Sequence, residues 1–136
     1  MSYRWHFIAL GLALLHHADH IVRGTHVGWP VTGTVTPFTY SLLIYPIVLL
    51  GFVMRSARYW LAAVVGGLVM LTAVHILIET PGEILGGYAQ PAAGVVAFAI
   101  LVALIAVLAY LAWRYAIVVS ATRGETTRDG PFAPRA

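Results

Sequence analysis

The stretch LLHHADHIVRGTH, residues 14–26, contains four of the six histidines of the chain together with an aspartate and an arginine. Imidazole and carboxylate side chains bind transition metals, relay protons and, in the case of histidine, ligate haem iron. If the stretch is helical, His16, Asp19 and His20 lie on one face, because residues three and four apart are neighbours on an α-helix. His17 points about 100° away from His16. The stretch therefore predicts a one-sided cluster of ionisable groups.

A second polar pair occurs in a later apolar segment, where His75 and Glu79 are four residues apart. Trp5 and Trp60 are expected to mark the same membrane interface at the start of the two segments. Counted from these tryptophans at 1.5 Å per residue, His20 and His75 both lie roughly 22 Å along their helices. Each charge buried near the bilayer centre costs about 2.5–3.5 kcal/mol. The two polar faces are therefore expected to meet.

Together the two faces form a donor set that suits a first-row transition metal such as Zn, Fe or Cu. The predicted ligands are His16, His20, His75 and Glu79. Asp19 is predicted either to join the ligands or to orient an imidazole from behind. If the ion is catalytic, an open coordination position would activate water or oxygen, with Glu79 or Asp19 accepting the proton. The sequence leaves open whether the protein is an enzyme.

Other functions fit the same residues. His20 and His75 can ligate a haem b iron from two helices of a bundle, which would make the protein an electron carrier. Without a cofactor, a chain of His, Asp and Glu can relay protons within an accessory subunit of a larger membrane complex. The same polar pairs can also simply lock helices together. The metal site is the main hypothesis, because locking would need fewer ionisable groups.

The elements that carry these residues are predicted to be membrane-spanning helices. Hydrophobic residues make up 60% of the 136 residues and charged residues 10%, and the mean hydropathy is +0.86, far from the composition of an ordinary globular domain. In lipid, a helix satisfies its own backbone. We therefore expect an all-α, four-helix integral membrane bundle over residues 1–120, with a kink at Pro46. The predicted spans are 5–23, 36–54, 58–79 and 92–119.

Arginine sets the predicted orientation in the cell membrane. The chain has no lysine, and most of its eight arginines lie at the amino end, after the second span and in the tail. The positive-inside rule then places both termini in the cytoplasm and the histidine cluster near the outer face. His6, beside Trp5, is expected to be an interfacial anchor at the cytoplasmic side. The tail 121–136, rich in Thr, Gly, Pro and charged residues, is predicted to be disordered.

Several classes of function are not indicated. The chain has no cysteine, which excludes disulfides and thiolate metal sites, and it has no phosphate-binding glycine loop. The pI near 9.6 comes from arginines that serve topology and contact anionic lipid, so no nucleic acid partner is expected. The expected partners are the lipid bilayer and either further copies of the chain or a larger membrane complex.

Overall fold

The computed structural model describes residues 3–23 and 36–128, and all regular secondary structure in these two ranges is helical. The prediction of an all-α chain is confirmed there. The helices are α1 (Arg4–Arg23), α2 (Pro37–Ser41), α3 (Ile44–Met54), α4 (Ala57–Leu77), α5 (Pro81–Gly86) and α6 (Pro91–Arg128).

Two of these helices are long and apolar enough to cross a membrane, namely α4 and the part of α6 that ends at Arg123. The first helix has 20 residues but carries the polar face predicted above, and the apolar segment Phe38–Met54 is shorter than a usual span. The finer prediction of four spans therefore stays a prediction.

The second predicted span is interrupted one turn before Pro46. Tyr45 N donates to Leu42 O over 3.2 Å, in place of the i→i−4 bond of an α-helix. Pro46 has no N–H for that carbonyl, and its ring conflicts with the carbonyl four residues earlier. The predicted kink thus takes the form of a break between α2 and α3.

A tight turn joins α3 to α4. Arg55 adopts the left-handed conformation, with φ of 50°, and Ser56 caps α4 by accepting a hydrogen bond from Tyr59 N. Gly51 lies directly against the ring of Trp60, and a Cβ at Gly51 would come within 2.7 Å of Trp60 Cζ2. Only glycine allows this close approach of α3 to α4.

The central element of the bundle is α6, which packs against α4, α1 and α5, while α3 packs against α4. A hydrogen bond of 2.8 Å joins His6, near the start of α1, to Tyr115, in the second half of α6. Trp60, at the start of α4, packs on both of these rings. Consequently α1 and α4 run parallel to each other and antiparallel to α6, and their carboxyl-terminal halves lie at the same end of the bundle.

The structure differs from the sequence prediction at the end of α6. The helix continues to Arg128 instead of stopping at 119, so residues 121–128 of the predicted disordered tail are helical. The physical reason is local: Ala121, Arg123 and Glu125 favour helix, and the first proline of the tail comes only at Pro131. Residues 129–136 lie outside the described part of the chain.

Candidate metal centre

Three histidines from two helices meet in a buried cluster, hereafter the histidine triad: His16 and His20 from α1, and His75 from α4. Each is at most 6% exposed. His16 Nε2 lies 3.2 Å from His20 Nε2 and 3.0 Å from His75 Nε2, and the three residues offer ligand atoms within 4.8 Å of one another. Donor nitrogens around a tetrahedral ion are about 3.3 Å apart, given metal–nitrogen bonds of about 2.0–2.1 Å. This buried group can therefore hold a metal ion.

Hydrogen bonding accounts for only part of the triad. A ring nitrogen carries either one proton or one lone pair, so it makes one good hydrogen bond. His16 Nε2 has two ring nitrogens within 3.2 Å. Only one of these two contacts can therefore be a good hydrogen bond. A cation placed between the three nitrogens would satisfy all of them.

Glu79 lies beside the triad and is completely buried. Although α4 ends at Leu77, the N–H groups of Ile78 and Glu79 both donate to Val74 O, so the chain turns back at this point. The turn brings Glu79 Oε2 to 3.0 Å from His75 Nδ1 and 3.6 Å from His20 Nε2. The two atoms are close but are not aligned for a hydrogen bond, so the contact acts through charge: a carboxylate beside Nδ1 favours a proton on that nitrogen and leaves the Nε2 lone pair for the triad.

Two predicted site residues, Glu79 and Asp19, are not among the three donors. Glu79, which follows α4, contacts the imidazoles of His75 and His20. Asp19 is half-buried on α1. The contacts of Glu79 place it in the orienting position that was predicted for Asp19, rather than in the ligand position that was predicted for Glu79.

His17 neighbours the triad in sequence but has hydroxyl partners for both of its nitrogens. Ser41 Oγ donates to Phe38 O, so it accepts from His17 Nε2–H at 2.9 Å. His17 Nδ1 is then the acceptor for Tyr45 Oη–H at 2.7 Å. These bonds join α1 to α2 and α3, and they leave His17 no lone pair for a metal ion.

His6, at the other end of α1, was expected to be an interfacial anchor, and this expectation is wrong. The ring is only 5% exposed and lies among Tyr3, Phe52, Trp60 and Tyr115. The sequence gives a weak signal for this arrangement, because the aromatic partners come from three other parts of the chain.

An apolar cavity of about 330 Å³ extends from the triad into the bundle. Its walls come mainly from one face of α1 and one face of α4. At the end opposite the triad, it reaches His6 and Trp60. The triad is thus one wall of an internal space and is not sealed within the core.

A haem between His20 and His75, the alternative ligand pair, does not fit this geometry. The two rings are 5.8 Å apart between centroids, and His16 Nε2 lies close to both residues. A porphyrin plane between two axial imidazoles would have to pass through the place that His16 occupies.

Comparison of the chain with protein-family models, with curated proteins and with solved structures finds no match. The interpretation of the site therefore depends on its own residues and geometry.

Proposed function

We propose that the protein is a multi-pass protein of the cell membrane that holds a transition-metal ion, Zn, Fe or Cu, at the histidine triad. The observation that carries this proposal is the convergence of three buried Nε2 atoms from α1 and α4 at ligand spacing. Neutral imidazole is a common ligand of all three metals. Glu79 Oε2 lies 3.0 Å from His75 Nδ1, while the other ring nitrogen, Nε2, contacts His16.

The number of donor residues favours a catalytic metal site over a purely structural one. Structural zinc sites are usually closed by four protein ligands, whereas catalytic sites have three and leave a position for water or substrate. The triad supplies three, and the cavity adjoins it. When bound, the ion supplies a Lewis acid that can polarise an oxygen group in the open position. We therefore propose a membrane metalloenzyme that acts on a lipophilic substrate.

The surface supports a lipid environment. Only 17% of the apolar window of α4 and 22% of that of α6 is buried, whereas the core helix of a water-soluble domain would be mostly buried. Large side chains such as Phe7, Val22 and Val53 project outward from other helices. Such a continuous apolar surface is stable in a bilayer or against further membrane chains. In this proposal α1 and Phe38–Met54 complete four spans, and the arginines keep both termini in the cytoplasm.

The proposal is tested by the metal content of the purified protein and of two variants. His75→Ala removes the only histidine that α4 gives to the triad, so bound metal should fall from about one equivalent to near zero. His17→Ala is the matched control, since it also removes a buried histidine but one with hydroxyl partners, and its metal content should stay near that of the wild type. Thermal unfolding of each variant confirms that the protein is folded.

Two results would overturn the proposal. Equal metal content in the His75 and His17 variants would show that the triad is not the binding site. Absence of Zn, Fe and Cu from the wild type, even after incubation with each ion, would leave a structural cluster or a proton relay. An absorption spectrum of the same sample checks the haem alternative, because haem gives a Soret band.

A further inference from the structure

The cavity next to the triad is elongated along two helices. Its wall on α1 follows one helical face from His6 to His16, and its wall on α4 runs from Trp60 to His75. At 1.5 Å per residue these stretches are roughly 15 and 22 Å long. The cavity therefore follows more than half of the length of each helix.

Small residues create this space. Ala9 and Ala13 on α1 lie across from Ala63 and Gly67 on α4, and all four line the cavity. The two helices pack mainly on α6 rather than on each other, which leaves the gap between them. An engineered cavity of about 150 Å³ holds one benzene molecule, so 330 Å³ has room for roughly a dozen carbon atoms.

The chemistry of the walls differs along the cavity. The end opposite the triad is closed by buried rings and side chains, those of His6, Trp60 and Leu111. Between that end and the histidines the walls are almost entirely apolar and carry no charged side chain. The open coordination position would thus be at one end of the cavity, and a blind end formed by the buried rings of His6 and Trp60 and by Leu111 at the other.

The cavity reaches the surface on the side of α2 and α4. Tyr40 is 58% exposed and Met70 36% exposed, and both line the cavity. In the proposed four-span arrangement this side would face lipid. A molecule dissolved in the membrane can therefore enter sideways, without crossing water.

We propose that the cavity binds a single-chain lipid whose methyl end lies at Trp60 and whose oxygen-bearing end, a carboxylate, alcohol or aldehyde, lies at the triad. The position of the oxygen rests on the proposed metal site, because a bound ion is what would ligate it there. The position of the chain rests on the shape and polarity of the cavity alone. A sterol or a porphyrin has many more atoms than a cavity of about 330 Å³ holds.

The probe is a saturated fatty acid of about ten carbons, so that its chain and carboxylate together match the size of the cavity, with a photoreactive diazirine near its methyl end. Full-length protein in detergent is loaded with zinc, illuminated with the probe and mapped by mass spectrometry. Labels are expected at the blind end, on Trp60, Val64 or Leu111. Moving the diazirine next to the carboxyl group should move the labels toward the triad.

Two pairs of variants make the test specific. A Cβ at Gly67 would meet only Ile44 Cδ1, at 3.7 Å, so Gly67→Leu fills the cavity without a backbone clash. Gly66→Leu is its control, because a Cβ there meets nothing within 4 Å and the residue is exposed. On α1, Ala13→Leu and its control Gly11→Leu repeat the comparison. Each filling variant should lower labelling at least tenfold, and each control should leave it unchanged.

The proposal is overturned if both filling variants label like the wild type, if labels lie on the outer faces of the helices, or if the wild type is not labelled. Metal content is measured in the same samples and separates the two proposals. If the protein binds metal but is not labelled, the metal-site proposal stands and the lipid proposal is wrong. If the protein is labelled at the blind end but binds no metal, the lipid chain does lie in the cavity. The metal-site proposal and the proposed contact between the ion and the lipid oxygen are then both wrong.

Discussion

Replacing Glu79 by glutamine tests how the histidine triad is held. The amide keeps the size of the side chain but removes its negative charge and the preference for a proton on His75 Nδ1. The carboxylate is completely buried, 3.0 Å from that nitrogen and 3.6 Å from His20 Nε2, so water cannot take over its role. Loss of such an outer partner typically weakens metal binding 10–100-fold. We therefore expect Glu79→Gln to weaken zinc binding by about 1.4–2.7 kcal/mol.

The measurement is competition for zinc against a chelator of known affinity, followed by thermal unfolding with and without the metal. Saturating ligand stabilises the folded state according to its dissociation constant, so zinc should stabilise the variant less than the wild type by the same amount. The metal-free variant should be at least as stable as the metal-free wild type, because a buried carboxylate is costly without a cation.

Asp19→Asn is the matched control, since it makes the same chemical change on a half-buried carboxylate outside the three donors. Its effect on zinc affinity should be smaller than that of Glu79→Gln. The reverse order would refute the reasoning and would place the orienting carboxylate on α1. Equal affinity in the wild type and the Glu79 variant would show that the contact to His75 Nδ1 does not act on the metal.

Two further predictions concern the bundle itself. Gly51→Ala should destabilise the protein by about 1–3 kcal/mol in denaturant unfolding, because its Cβ would lie 2.7 Å from the buried Trp60 ring. Gly66→Ala should not destabilise it, because a Cβ at Gly66 has open space around it. Equal stability of the two variants would contradict the packing of α3 on α4. A reporter fused after Ala136 that is active only outside the cytoplasm should stay silent, and strong activity would reverse the assigned orientation.

The approach of His16 and His20 to His75 could be predicted from sequence, because helical periodicity gives the angle of a side chain and the rise per residue gives its depth. The position of Glu79 depends on where α4 ends, and the hydrogen bonds to Val74 O that turn it back are not encoded in a spacing. The i, i+4 spacing therefore correctly predicted that His75 and Glu79 are neighbours, but it placed Glu79 on the helix, whereas α4 ends at Leu77.

The sequence did not predict which faces of the helices pack against one another. Among the small residues of α1 and α4, Ala13 and Gly67 line the cavity, but Gly11 and Gly66 face outward. The rotation of a nearly uniformly apolar helix has no strong polar signal to fix it. The burial of His6 was missed for a related reason, since its partner Tyr115 is 109 residues away in the chain.

The parallel pair α1 and α4 is joined at both ends but not in the middle. At one end the rings of His6 and Trp60 are in contact, and at the other the triad joins the same two helices. Substitutions of the small residues between these ends change the width of the cavity and leave the residues of both contacts unchanged. For the proposed lipid, larger residues at Ala9 or Ala63 would shorten the chain that fits, and smaller or larger ones would set whether it is straight or branched, while the residues of the triad stay unchanged.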